Sequence, residues 1–534
     1  MLARINNAYL VSVPDKGGEL VEGIVGSSRF INPVLAISDA DKDMSSLVYA
    51  GLMRAQSDGT LAPDVAERYE ISEDGRTYRF FVRTDALFHD GTPVTAQDVE
   101  FTVLKIQDAS IKSPKRANWE GIVVSVVNDK EIVFTLEKPY GPFLENATLG
   151  ILPKHVWQNA TADEFTFSEY NISPVGSGPY KVTNVERNSV GVPSVYKLRS
   201  FTSYSGNEPY ITHLTIRFYP SELDLVKALE SGDVESASGL SPNLVSSLSD
   251  NTRIETTVLP RVFGVFFNQN QSALFTNKEV REALDAVIDK NAIVRNVLES
   301  YGTGINGPIP PLTSQSLKGE ESAEEKAERI TKARALLTDG GWKQNQEGIW
   351  QKSVKNEVQT LTFTLTTGNA PELKSTANMI AADWKEIGII ADVAIYETGD
   401  LNQNIIRPRK YDALLFGEII GRDLDLFPFW HSSQRLDPGL NIAMYANPNA
   451  DKLLEEARST TDTELRKQKY SEFESEILNN APAIFLYSPS FIYILPKKVE
   501  NVTLGQLTFP GERFSNIKEW YIEKNKVWKI FTKS

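Results

Sequence analysis

The chain has no cysteine in its 534 residues. That excludes disulfides, thiolate metal sites and a cysteine nucleophile. It leaves the compartment open, because an exported protein need not carry disulfides. Histidine is also scarce. The four residues His89, His155, His213 and His431 lie far apart, without HExxH or HxH spacing. No preformed transition-metal site is therefore expected, although His431 alone could touch a chelated metal. No run of about 18 apolar residues occurs, so no segment is expected to span a bilayer. The start, MLARINNAYLVSVPDKGG, lacks the apolar stretch of a signal peptide, and no lipidation cysteine follows. Export would then depend on a signal or anchor outside this sequence. Basic clusters are short, and a formal charge of -14 argues against a nucleic-acid partner. Neither tandem repeats nor low-complexity tracts occur.

The length suggests two or three domains. Residues 1–18 read as a frayed lead. From Glu19 the chain reads as a strand and loop, with a short helix over 45–52. In 78–102, Tyr78, Phe80 and Val82 alternate with Arg79, Phe81 and Arg83, which predicts a strand. Phe88-His89-Asp90-Gly91-Thr92-Pro93 then predicts a turn, and Thr95 with Asp98 opens a helix. Runs 122–127 and 131–136 flank Asn128-Asp129 as a hairpin. The cluster Pro174-Val175-Gly176-Ser177-Gly178-Pro179-Tyr180 marks a crossing. Strands follow at 196–198 and 215–218, and a helix from Ser221 stops at Gly232. Thr276-x-x-Glu279 predicts a capping box, with Val280, Leu284, Val287 and Ile288 on one helical face. A helix over 330–337 stops at Gly340-Gly341. The order strand 361–365, helix 377–386, strand 389–395 predicts an α/β lobe, and 483–487 a late buried strand.

Few motifs survive as chemistry. Gly302-x-Gly304-x-x-Gly307 has the letters of a dinucleotide loop, but Pro308, Pro310 and Pro311 follow and no helix can open there. Asp39-x-Asp41-x-Asp43 opens like a calcium loop, yet Met44 and Ala50 stand where glycine and glutamate are needed. His89-Asp90 belongs to a turn. There is no nucleophile elbow or Walker sequence, so no catalytic residue and no cofactor is expected. One stretch, 411–445, sets polar groups on an aromatic background, as a small-solute cleft requires. It carries Glu418, Asp423, Asp425, Trp430, His431, Gln434, Asn441 and Tyr445, with an exposed Trp-His pair as the wall.

The 78–102 segment closely resembles the signature of the family 5 extracellular solute-binding proteins, which serve peptide and nickel ABC importers. Further resemblances run along the chain: Gly17-Gly18-Glu19-Leu20, Ile31-Asn32-Pro33, Leu61-Ala62-Pro63-Asp64-Val65-Ala66 and Gly176-Ser177-Gly178-Pro179-Tyr180. Val280-Arg281-Glu282-Ala283-Leu284, Gly340-Gly341-Trp342 and Pro482-Ala483-Ile484-Phe485-Leu486-Tyr487 complete them. The resemblance implies a mixed α/β, two-lobed fold with a hinge and a small additional α+β domain. The first lobe would take 19–50, 175–265 and 485–534, the additional domain 51–174, and the second lobe 266–484. The chain would cross near 262–268 and 481–487.

It further implies capture of a solute, a peptide above others, by closure of the lobes, with delivery to a membrane permease. The protein would be a monomer outside the membrane, attached to it only by an anchor or the permease. Ser28, Arg29 and Asn32 would approach the ligand from the first lobe and Tyr487 from the second crossing. Peptide-binding members pair the ligand's amino group with an Asp shortly after a Trp. Here Tyr411-Asp412 fits the preceding strand, Glu418 stands at the Trp position, and the acids come later as Asp423 and Asp425. An oligosaccharide or a metal chelate as ligand, a sensing role and a grafted hydrolase remain alternatives. Trp430→Ala is expected to weaken binding by about tenfold or more without unfolding the protein.

Overall fold

The computed structural model describes residues 10–248, 252–313, 317, 319–355 and 357–528. Part of the lead, residues 1–9, and the last residues, 529–534, lie outside them. The rest of the lead is not frayed: Leu10–Pro14 is a strand paired antiparallel with Lys524–Trp528. Two compact units make up the chain, one of Met1–Thr257 with Phe491–Ser534, the other of Val258–Ser490. The chain thus crosses after Thr257 and after Ser490, and residues 51–174 fall in the first unit.

In the first unit, Glu19–Val25 pairs in parallel with His213–Tyr219, which continues antiparallel to Pro193–Ser200 and Tyr180–Arg187. On its other edge comes Ser236–Ser238, followed by the last residues of the strand Ala483–Leu495. A separate antiparallel sheet orders Ala66–Ile71, Thr77–Val82, Glu131–Thr135 and Val123–Asn128. Its alternation is the expected one. Tyr78, Phe80 and Val82 are buried, and Phe80 meets Phe134 edge-on at 5.7 Å. The helix Ala96–Gln107 begins where expected, because the Thr95 amide and hydroxyl both donate to Asp98, at 2.9 and 2.7 Å. The second Asp98 oxygen accepts the Lys154 amide at 2.8 Å, tying the helix start to the following segment.

The turn between strand and helix works as a clamp. The Gly176 amide donates to His89 Nδ1 at 3.3 Å, so Nε2 carries the proton and donates to the Gly178 carbonyl at 3.0 Å. Burial holds this imidazole neutral, with its pKa down to about 4. Asp90 pairs with His155 at 2.7 Å. The glycines of this clamp are sterically required. A Cβ on Gly176 would lie 2.0 Å from the Val48 carbonyl oxygen. Gly176→Ala is therefore expected to cost about 1–3 kcal/mol by overpacking, read as a lowered thermal midpoint. Gly399→Ala is the control, since a Cβ there would meet no atom within 4 Å and the φ of Gly399 is ordinary. A matching loss in the control would sink the steric account.

The acids Asp39, Asp41 and Asp43 open a helix, Asp39–Val48, rather than a calcium loop. This helix precedes and replaces the one expected over 45–52. Ser38 and Asp41 form its capping box, while Asp43 turns inward to Arg513.

The second unit is a three-layer α/β structure. Its sheet orders Ile390–Tyr396, Thr362–Gly368, Ala413–Ile419, Arg261–Phe267 and the first residues of Ala483–Leu495. The strands at 362–368 and 390–396 are parallel and joined by the helix Pro371–Glu386, the expected crossover. Strand alternation splits the core in two. Val265 and Phe267 face a cluster with Val280, Leu284, Trp342 and Trp384. Val262 and Phe266 face an aromatic cluster with Trp430, Tyr445, Tyr470, Phe473 and Phe485.

Two local expectations shift. The helix Lys278–Ala286 is preceded by Asn277, because the Thr276 hydroxyl donates back to the Ala273 carbonyl and closes a 3-10 turn. Gly302–Gly304 is a short strand paired with Tyr487, Ser488 and Pro489 rather than a loop.

Candidate functional site

Glu418 stands apart from every other acid of the second unit. It lies in Ala413–Ile419, opposite Val262 of the neighbouring strand, one position before the Arg261–Ile419 pair. That end of the sheet is where the chain enters the unit at Val258. Alternation puts Glu418 on the face that Leu414 and Phe416 turn to the aromatic cluster. It is 3% exposed, and neither carboxyl oxygen has a hydrogen-bond partner among the described residues. Burial lifts its pKa well above the ordinary carboxylate range, and the nearby Trp430 indole draws it partway back. The indole N–H is also without a well-aligned acceptor. A buried carboxyl left in this state costs stability unless it is protonated or meets a cation or donor.

The other acids of the stretch are occupied. Asp425 pairs with Arg458 at 3.1 Å and accepts the Phe427 amide at 3.3 Å. Asp423 lies 3.9 Å from Arg466; burial raises its pKa, and Arg466 and Arg422 work against the rise. His431 stacks on Phe427, centroids 4.1 Å apart, and Arg458 covers Phe427 at 4.5 Å. Its Nδ1 accepts the Ser433 amide at 3.1 Å, and its Nε2 lies 3.4 Å from Glu455. Gln434 is half-buried and donates to Ser433 at 3.0 Å.

Several residues expected to face a ligand are turned inward. Trp430 is fully buried rather than an exposed wall, packed among Phe266, Phe485, Tyr445 and Phe473. The reason is local: Phe427–Trp430 forms a short helix that rolls the indole under the sheet and leaves Phe427 to His431 and Arg458. The Asn441 amide donates to the carbonyls of Trp430, His431 and Tyr445 at 2.9–3.1 Å, fastening the loop behind that helix. Tyr487 is buried and stacks on Phe263 at 5.0 Å.

In the first unit the Ser28 hydroxyl donates to Asp41 at 3.2 Å, and the Asn32 amide donates to Asn171 at 3.0 Å. Both hold the loop after Glu19–Val25. Arg29 alone of that group is exposed, its guanidinium over Phe30 at 4.9 Å. Sequence reasoning passed over Asp451, Glu455 and Arg458. Their i, i+4, i+7 spacing puts them on one face of the helix Pro448–Ser459, which was the available signal.

Residues 60–437 match the model of "Bacterial extracellular solute-binding proteins, family 5 Middle". The chain belongs to this family. As a family 5 solute-binding protein it is a binding protein and not an enzyme, and no described helix is long and apolar enough to cross a membrane. It is similar to the oligopeptide-binding protein AppA of Bacillus subtilis (strain 168), 28% identical over 520 residues, 96% of this chain and 93% of that protein. The solved structure of that AppA with a nonapeptide is 26% identical with a TM-score of 0.71, covering 96% of this chain and 100% of that one. NikZ from Campylobacter jejuni, solved with Ni(L-His), is 26% identical with a TM-score of 0.72, covering 94% and 99%. These structures carry the two-lobed fold that the sequence led us to expect.

Proposed function

We propose that this family 5 protein captures peptides for an ABC importer, with Glu418 receiving a cationic group of the peptide. The relatives supporting a peptide are AppA, named for oligopeptides, and the dipeptide-binding protein of Escherichia coli (strain K12), 23% identical over 528 residues. The observation that carries the reading is the Glu418 carboxyl itself: buried, without a cation or a well-aligned donor among the described residues, and near only a poorly aligned Trp430 indole N–H. An ammonium group brought to it would supply the charge partner that the buried carboxyl lacks. Of the other residues put forward from the sequence, Arg29 supplies an exposed cation in the first unit. In the second unit, Asp423, Asp425, His431 and Gln434 shape the segment that follows Glu418. The protein acts as a monomer outside the membrane and hands its ligand to a permease. It associates with the membrane only through an anchor or the permease.

Glu418→Gln tests this. Without ligand, the neutral isostere is expected to leave the thermal midpoint unchanged or raise it, because a carboxyl that burial disfavours is replaced. Affinity for a peptide identified by native mass spectrometry of the purified protein is expected to fall by about tenfold or more. An N-acetylated version of the same peptide should lose the difference between the two proteins. Equal calorimetric affinities of wild type and Glu418→Gln for the free peptide would remove Glu418 from the site. The wild-type pH profile follows the same sign. The carboxyl's pKa is raised, so affinity for an ammonium-bearing peptide should climb as pH rises through it.

A further inference from the structure

The first unit holds a cavity of about 120 Å³ where five chain segments converge. Tyr49 enters at the end of the helix Asp39–Val48, Arg54 from the middle of the strand Met53–Ala55, and Asp64 just after Leu61–Pro63. Tyr204 follows the strand Pro193–Ser200, and Lys518 lies in Ile517–Glu519. The polar groups of this cavity are unevenly satisfied. The Tyr204 hydroxyl donates to Asp64, 3.1 Å from each carboxyl oxygen, and Lys518 donates to the Gly206 carbonyl at 2.8 Å. Tyr49 is 5% exposed, and its hydroxyl has no partner among the described residues. Arg54 makes neither a hydrogen bond nor an ion pair among them; it acts on Asp64 and Lys518 only through the field of its charge.

The two carboxyls that line the cavity are engaged, Asp64 by the Tyr204 hydroxyl and Glu512 by the Thr508 amide at 2.5 Å. The Arg54 guanidinium, which repels Lys518, and the Tyr49 hydroxyl are thus left without a hydrogen-bond acceptor among the described residues. A carboxylate supplies two acceptor oxygens in one plane, the geometry that the guanidinium fork matches. Met53, Phe514 and Ile517 give the remainder of the cavity an apolar side, and Ser46, Glu512 and Ser515 a polar one, so the ligand's body is small and only partly apolar. Size guides the choice: a dry cavity of about 150 Å³ holds benzene, so the space here suits a group of a few heavy atoms. We propose that this cavity of the first unit is a binding site for a small carboxylate, held by Arg54 and the Tyr49 hydroxyl. The ligand is either a plain carboxylic acid or an amino acid, whose ammonium would face the Asp64 side. The peptide reading plays no part here, since every residue used lies in the first unit.

The test is calorimetric titration of the full chain with sodium acetate and, separately, with glycine. Wild type is expected to bind at least one of them saturably. Arg54→Met should weaken that binding by about tenfold or more, and Tyr49→Phe by about threefold to tenfold, with circular dichroism showing both folded. Acetate bound as well as glycine identifies a plain carboxylate site, and glycine bound more tightly identifies an amino-acid site. No saturable binding of either probe overturns the proposal. So does binding that survives unchanged in both variants, because it then occurs elsewhere, at Glu418 included. Tyr49→Phe removes a single oxygen and keeps the ring, so it holds the test open if Arg54→Met does not fold.

Discussion

Arg513→Met is expected to lower the stability of the first unit by about 3–5 kcal/mol, the range found when one partner of a buried ion cluster is removed. Arg513 and Glu22 are almost wholly shielded from water, and Asp43 nearly so. The guanidinium donates to Glu22 at 2.9 Å, to Asp43 at 2.8 Å and to the Pro510 carbonyl at 3.0 Å. Tyr493 donates to Glu22 at 2.8 Å, and Ser236 donates to the same oxygen. One cation thus serves two carboxyls from three parts of the chain. It joins the strand Glu19–Val25 and the helix Asp39–Val48 to the C-terminal segment.

Burial raises the pKa of both acids, and Arg513 opposes the rise in each. Without the guanidinium both pKa values climb further. A group whose folded pKa lies above its unfolded value contributes stability that is complete below the unfolded pKa and is lost as pH rises through the folded one. The deficit of Arg513→Met should therefore be larger at pH 8 than at pH 5, measured by urea denaturation followed by circular dichroism. Adding Glu22→Gln should recover part of it, since one uncompensated carboxyl is then gone. A deficit that is small, or identical at the two pH values, would show that the cluster does not hold the unit together in this way.

This cluster marks the limit of what local pattern carries. Tyr78, Phe80 and Val82, the Thr95–Asp98 helix start and the crossover after 361–365 were legible, because each is set by neighbours within one turn or one strand. Glu22 and Arg513 are 491 positions apart, and no spacing rule relates them. The solute region failed differently. Trp430-His431 with scattered acids reads equally as a cleft wall and as the underside of a sheet. What decides between them is the short helix Phe427–Trp430, which rolls the indole inward. The Arg458 and Arg466 partners of Asp425 and Asp423 lie on later helices, so those acids looked freer than they are. Glu418 differs from them. In a strand whose same-face neighbours are Leu414 and Phe416, a carboxylate breaks the alternation, a break that is visible in the sequence and that the proposal for Glu418 builds on.

Trp430→Ala is expected to destabilise the second unit by about 3–5 kcal/mol, the cost of emptying a large aromatic site in a core. The indole is surrounded: Phe485 lies 5.8 Å from it, Phe266 6.1 Å, Tyr445 6.3 Å and Phe473 6.5 Å, centroid to centroid. Weaker binding in an intact protein, expected from the sequence, does not hold for so buried a ring, because any affinity lost by the alanine variant includes the loosening of the unit. Trp430→Phe separates the two effects. It keeps most of the packing and removes the N–H beside Glu418. The indole lowers the Glu418 pKa, so its loss should raise that pKa further. If peptide binding needs the ionised carboxylate, the affinity–pH curve of Trp430→Phe must move to higher pH than that of wild type, while its thermal midpoint falls less than that of Trp430→Ala. A curve that does not move, in a protein that binds peptide normally, would leave Trp430 a packing residue and Glu418 without the indole's influence.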